Sequence, residues 1–304
     1  MRRLLVTGRH GFVGNSLARR IAEAHAGSWA LCNVPPTFDL CERGAASALV
    51  VTECPDAVVH LAAQSAVQES IDDPEGTLRV NILGTLHLLQ ALSDSDFRGR
   101  MLYVGSGDVY GHVPDDALPV AESWMPRPRN PYAVSKLAAE ALCWQWHVQR
   151  GLDVVLARPF NHIGHGQSSR FVVSSLARQI VQIVNGRQEP RIRAGNLDVT
   201  RDFTDVRDVA DAYLALLVSG QSGDIYNVCS GIERSIGSLL GRLVEIAGVS
   251  ASIEQEQARM RPGEQLRMRG DPSKLVRTTG WQPRIPIEAS LRDALCYWEE
   301  RLDG

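Results

Sequence analysis

Three glycines at intervals of three, Gly8, Gly11 and Gly14, follow a short apolar run at the start of the chain and precede a helical stretch over residues 15–24. Few folds accommodate that arrangement. A strand that turns through glycines into a helix lets backbone amides approach a ligand closely, and the helix turns its positive end toward any phosphate placed there. The spacing Gly-x2-Gly-x2-Gly is one residue longer in its first gap than the Gly-x-Gly-x2-Gly dinucleotide fingerprint. The turn reads as a phosphate cradle.

Strand-like runs over 4–7, 29–34, 57–62, 101–105 and 154–157 alternate with helical patterns, the clearest of them at 81–92 and 132–148. That rhythm specifies an α/β fold, a Rossmann-type doubly wound parallel sheet covered on both faces. After Pro159 come a Gly/His/Ser loop over 161–169, helices over 171–184 and 206–218, and a strand over 224–228. The remainder from residue 234 carries one helix, a polar Gln/Arg/Glu stretch and a closing helix after Pro286. The expected division is a dinucleotide-binding domain over 1–163, to which 204–229 returns. Residues 164–203 and 230–304 then form a smaller C-terminal substrate-binding lobe, with a cleft between the two.

Composition excludes several partners. A chain of 304 residues with net charge −3 and scattered Lys and Arg offers no basic surface for nucleic acid or anionic membrane. Only a run of three apolar residues leads into Thr7, and no apolar run approaches membrane length, so the expected location is the cytoplasm. The six cysteines form no Cys-x2-Cys pair and are read as free thiols. His162 and His165 lie on a glycine-rich loop without a nearby third ligand, so no metal is expected.

Tyr132 and Lys136 stand four residues apart on a helical pattern opened by Pro131, and therefore share a face. An ammonium beside a phenol favours the phenolate and lowers its pKa, and a nearby serine hydroxyl can share the proton. Such equipment suits general acid catalysis on a carbonyl. Ser106, in Gly105-Ser106-Gly107-Asp108-Val109-Tyr110, follows the strand-like run just upstream.

With Asp39-Leu40, His60-Leu61-Ala62-Ala63, Asn81-x2-Gly84-Thr85 and Arg158-Pro159-Phe160-Asn161, these motifs resemble the extended short-chain dehydrogenases/reductases over essentially the whole chain. The second half is most similar to the GDP-6-deoxy-4-keto-D-mannose reductase branch, through Gly195-Asn196-Leu197-Asp198, Arg201-Asp202-Phe203, Tyr226-Asn227-Val228-Cys229-Ser230-Gly231 and Arg261-Pro262-Gly263-Glu264. The resemblance implies an NAD(P)-dependent oxidoreductase acting on a GDP-linked 4-keto-6-deoxy sugar and yielding GDP-D-rhamnose. Tyr132 is then the acid, Lys136 binds the nicotinamide ribose and keeps Tyr132 acidic, and Ser106 hydrogen-bonds the carbonyl.

It further implies cofactor contacts from Gly8, Arg9, Gly11, Phe12, Val13, Gly14, Asp39, Leu40, Leu61, Ala62 and Ala63. Substrate contacts fall to Ser106, Gly107, Asp108, Asn161, Arg201, Arg261 and Glu264. Arg178, Arg191 and Arg193 are further candidate cations. The chain reads Cys32-Asn33-Val34 where NAD-preferring sites carry a carboxylate, and Arg9 can pair with a 2′-phosphate, so NADPH is expected, with NADH as the alternative. The helices at 81–92 and 132–148 are the expected seam of a homodimer. Competing readings are a GDP-mannose 4,6-dehydratase, a 4-ketoreductase giving GDP-6-deoxy-D-talose, and an NADP-binding redox sensor without turnover.

Overall fold

The computed structural model describes residues 1–42, 44–260 and 265–303. In chain order the first half contains β1 (Arg2–Thr7), α1 (Phe12–Ala24), β2 (Trp29–Leu31), α2 (Ala45–Glu53), β3 (Ala57–His60), α3 (Val67–Asp72), α4 (Pro74–Leu78), α5 (Gly84–Asp94), β4 (Arg100–Val104), α6 (Pro131–Arg150) and β5 (Asp153–Pro159). The second contains β6 (Asn161–Ile163), α7 (Val172–Val184), β7 (Arg191–Ala194), β8 (Thr200–Asp205), α8 (Val206–Ser219), β9 (Ile225–Val228), β10 (Glu233–Ser235), α9 (Ile236–Ala247), β11 (Ser252–Gln255), α10 (Ser273–Thr279) and α11 (Ile287–Asp303).

A parallel sheet in the order β2-β1-β3-β4-β5-β9 forms the centre. Side chains alternate across it. Leu4, Val6, Val59, Leu102 and Val155 pack against α1 and α8 on one face, while Leu5, Val58, Met101, Tyr103 and Val154 meet α2, α5 and α6 on the other. Burial on both faces explains why these strands read as continuous apolar runs. The chain leaves β1 for β2 at one edge and returns to β3 on the other side of β1. The order reverses there, which opens a crevice beyond the carboxyl ends of β1 and β3.

A second core gathers Leu176 and Ile180 of α7, Leu239 and Leu243 of α9, and Leu291 and Trp298 of α11. It lies beside a sheet β10-β8-β6 and a two-stranded ribbon β11-β7. Among the described residues no helix is long and apolar enough to cross a membrane.

Three expectations shift. The strand expected over 29–34 stops at Leu31: Cys32 still donates to the Leu4 carbonyl at 2.9 Å, but the Asn33 amide turns away to Glu53 and two prolines follow. The helix expected over 81–92 starts earlier, as α4 runs through a wide π-type turn at Arg79–Leu83 into α5. The strands β6, β7, β8, β10 and β11 fall in stretches read as loop or merely Arg-rich, since runs of three to six residues carry too little periodicity to announce themselves.

Candidate active site

The glycine turn sits at the crevice, and its glycines are required sterically. Gly8 has φ +72°, and a Cβ there would meet the Ala62 amide nitrogen at 2.8 Å; at Gly14 it would lie 2.5 Å from the Gly8 carbonyl oxygen. The first turn of α1 has no side-chain cap, so its amides face the crevice free to donate. A cavity of about 410 Å³ opens here, lined by Gly8, Arg9, Gly11, Asp39, Leu40, Ala62 and Ala63 among others.

The other expected cofactor residues lie behind that lining. Val13 and Leu61 pack on the core, and Phe12 stacks on His162 with ring centroids 6.0 Å apart. At the far end of the cavity the Arg9 guanidinium donates to the Cys32 carbonyl at 3.2 Å. The nearby Glu53 is occupied by Arg3 and the Asn33 amide. A larger hollow of about 650 Å³ adjoins through Gln64 and Val80, but Glu69, Asp72, Asp73 and Glu75 line it, which makes it hostile to phosphate.

Tyr132 enters on the first turn of α6. Asn130 caps that turn by accepting from the Ala133 amide at 2.8 Å, and Pro131 occupies the position where a missing N–H costs nothing. The phenol is hydrogen-bonded to the Ser106 hydroxyl, which comes from the carboxyl end of β4. One turn along, the Lys136 ammonium donates to the Val104 carbonyl at 2.8 Å and lies 5.5 Å from the centre of the Tyr103 ring.

The electrostatics correct one expectation. Burial pushes the Tyr132 phenol above its usual value, the Asp108 carboxylate adds to the rise, and the Ser106 hydrogen bond only partly offsets both. The ammonium expected to acidify it is committed to Val104, and its own burial lowers it to about 8. Tyr132 is therefore held as a protonated donor, which is the form a reduction consumes.

The residues that hold this arrangement were named only as motif members, without a role. Asn81, on the wide turn, donates to the Ser135 hydroxyl at 2.8 Å and to the Gln64 carbonyl at 3.0 Å, and accepts from the Gln64 amide at 2.8 Å. Ser135 in turn donates to the Tyr132 carbonyl at 2.7 Å. His60, buried between Thr7 (2.6 Å) and Thr85 (2.9 Å), has its pKa lowered to about 3 by burial and stays neutral. Together they tie the 60–64 segment to α6. A non-standard helical turn is not visible in a sequence, so Asn81 gave no local signal.

On the opposite side, Gly107 is buried against Phe160, and Asp108 is exposed at the cleft. Asn161 is exposed on β6, and Arg201 on β8 donates to the Thr200 carbonyl at 2.7 Å. Arg261 and Glu264 lie outside the described residues. Arg191 and Arg193 pair with Glu254 and Glu256, and Arg178 lies over Trp298, so all three are engaged within the lobe. His162 faces Phe12 and His165 faces Tyr297 and Glu300; among the described residues no three metal-ligating side chains converge. Arg170 pairs with Glu69 of α3, tying the loop after β6 to the first half of the chain.

Known proteins share this design. The model of the GDP-mannose 4,6 dehydratase family matches residues 34–294. The chain is 53% identical to a GDP-6-deoxy-D-mannose reductase of Pseudomonas aeruginosa, over 99% of this chain and 98% of that one. It is 31% identical to a GDP-6-deoxy-D-talose 4-dehydrogenase of Aggregatibacter actinomycetemcomitans over 91% of each. A solved structure of RMD from Pseudomonas aeruginosa complexed with NADPH superposes with a TM-score of 0.94 at 51% identity, covering 99% of this chain and 100% of that chain. With its glycine turn, its Ser106, Tyr132 and Lys136 and these relatives, the chain belongs to the GDP-mannose 4,6-dehydratase family of extended short-chain dehydrogenases/reductases.

Proposed function

We propose that this protein is an NADPH-dependent nucleotide-sugar 4-ketoreductase that converts GDP-4-dehydro-6-deoxy-D-mannose to GDP-D-rhamnose. The observation that carries the reading is a protonated, half-buried Tyr132 hydrogen-bonded to Ser106, on a helix that Ser135 and Asn81 tie to Gln64 in the lining of the glycine-turn cavity. The likeness to the Pseudomonas aeruginosa reductase supports the substrate, and the NADPH complex supports the cofactor. The residues present also fit it. Gly8, Gly11 and Gly14 clear a path for a pyrophosphate, and no free carboxylate among the described residues stands at the end of β2 to repel a 2′-phosphate, which Arg9 meets instead.

Reduced nicotinamide, when bound, supplies the hydride to C4. The alkoxide charge that develops on the C4 oxygen is met by the Tyr132 hydroxyl, which gives up its proton, and by the Ser106 hydroxyl, which donates a hydrogen bond. Lys136, released from Val104, binds the nicotinamide ribose and stabilises the phenolate left behind. Asn161, Arg201, Arg261 and Glu264 hold the nucleotide sugar, with Gly107 and Asp108 along its sugar ring. In this reading 1–163 with 204–229 bind the cofactor, 164–203 with 230–304 bind the substrate, and the reaction runs in the cytoplasm.

The test is to incubate purified protein with the keto-sugar and NADPH and to follow cofactor oxidation and the C4 configuration of the product by NMR. Oxidation with a rhamno product supports the reading; a talo product would replace it with the opposite facial selectivity. Formation of a keto-sugar from GDP-mannose without added reductant would make the protein a dehydratase instead.

We also propose a homodimer through α5 and α6. Leu83, at the end of the wide turn that leads into α5, and Val134, Trp144 and Val148 of α6 are exposed apolar side chains that a second copy would cover. Trp144→Glu is expected to shift the mass measured by light scattering from dimer to monomer, and a wild-type monomer would end the proposal.

A further inference from the structure

We propose that the Arg3–Glu53 ion pair sets the preference for NADPH, by cancelling a carboxylate that stands one peptide group away from the cation for the 2′-phosphate; this rests on the cofactor reading above. The peptide group joins Cys32 to Asn33, just past the end of β2. Its carbonyl accepts from the Arg9 guanidinium at 3.2 Å, and its N–H donates to the Glu53 carboxylate at 3.1 Å. Carbonyl and N–H of a trans peptide point in opposite directions, so Arg9 and Glu53 hold its two ends, within roughly 9 Å of each other. That is about one Debye length at physiological salt, and the Glu53 side chain is only 14% exposed, where screening is weaker still. A phosphate seated on Arg9 would feel this acid.

Glu53 is an unexpected residue at its position. It ends α2, where the helix dipole disfavours a negative charge. Arg3 answers it twice: Nη2 donates to the carboxylate at 2.7 Å, and Nε donates to the Glu53 carbonyl at 2.6 Å. The Arg3 amide is itself fixed by donating to Asp56 at 2.7 Å. Cys32, buried beside the pair, registers both charges: burial pushes its thiol up to about 11, Arg3 pulls it down and Glu53 pushes it up. The one carboxylate in the cavity lining, Asp39, accepts from the Cys41 amide at 2.8 Å.

NADPH and NADH differ only in the 2′-phosphate, so a bare Glu53 would act on one cofactor and spare the other. It would repel the phosphate and draw Arg9 toward itself. Arg3 makes the end of β2 neutral without removing the acid.

The test is fluorescence titration of NADPH and NADH into wild type, Arg3→Gln and the double variant Arg3→Gln/Glu53→Gln. Arg3→Gln should weaken NADPH about fivefold while NADH changes less than about twofold, and the NADPH loss should shrink in about 1 M salt. The double variant should return NADPH affinity close to wild type, although the ion pair is gone, because no uncancelled charge remains. Unchanged NADPH affinity in Arg3→Gln overturns the proposal. So does equal weakening of both cofactors, or a double variant no better than the single one, since either makes the pair a structural brace. A wild-type protein that binds NADH as tightly as NADPH overturns the cofactor reading itself, before any substitution is made.

Discussion

The two sides of the cleft reach their shapes by opposite means. On the β1–α1 side the groups proposed to bind are backbone amides, and the geometry depends on side chains that are missing: a Cβ at Gly8 or Gly14 would collide with backbone. On the β8–β10 side the groups proposed to bind are long cations, and their strands are held by a side chain that is buried. Asp202 accepts from the Ser230 amide and hydroxyl (2.8 and 2.6 Å), the Gly231 amide (2.8 Å) and the Gly270 amide (3.3 Å). The first side tolerates no added atom, and the second tolerates no lost anchor.

The chemistry itself gives the largest expected effect. Tyr132→Phe removes the proton donor but keeps the packing of the glycine side, so kcat should fall about a thousandfold, roughly 4 kcal/mol of barrier, with NADPH affinity nearly intact. Stopped-flow reduction would measure it, and a loss below about tenfold would remove Tyr132 from the reaction. Next comes the anchor of the other side. Asp202→Ala leaves buried donors unsatisfied and should cost on the order of 3 kcal/mol in denaturant unfolding. GDP binding should suffer before NADPH binding; an equal loss of both would dissolve the contrast between the two sides.

Acid tests the support beneath the glycine turn. Unfolded His60 takes up a proton near its ordinary value of 6.5, whereas the folded residue resists until about 3. The unfolded state therefore binds more protons as pH falls through that window, and stability is lost on acidification. About 2 kcal/mol should disappear between pH 6.5 and roughly pH 5 from this group, and His60→Gln should flatten that part of the curve. The smallest effect on stability belongs to Gly8→Ala, about 1–2 kcal/mol from strained backbone. Its effect on NADPH binding should be far larger than its effect on unfolding, since the displaced Ala62 belongs to the cavity lining.

Legibility followed the same divide. The glycine turn could be read because its steric demand excludes nearly every other residue, and that exclusion is written in consecutive positions. Tyr132 and Lys136 could be read because helical spacing alone puts them on one face. The rise in the Tyr132 pKa could not, because it comes from burial and from Asp108, and the expected acidifying partner is turned to a strand carbonyl. Asn81 acts across 54 residues on Ser135, through a turn whose width no local pattern encodes.

The sequence by itself determined the doubly wound sheet, the glycine turn and the placing of Tyr132 and Lys136 on one helical face, since each follows from chain-local chemistry and periodicity. Only the tertiary structure decided the protonation state of Tyr132, the network that positions it and the setting of Arg9 and Glu53 at the two ends of one peptide group. Those depend on desolvation and strand register, which exist only once distant segments have packed together.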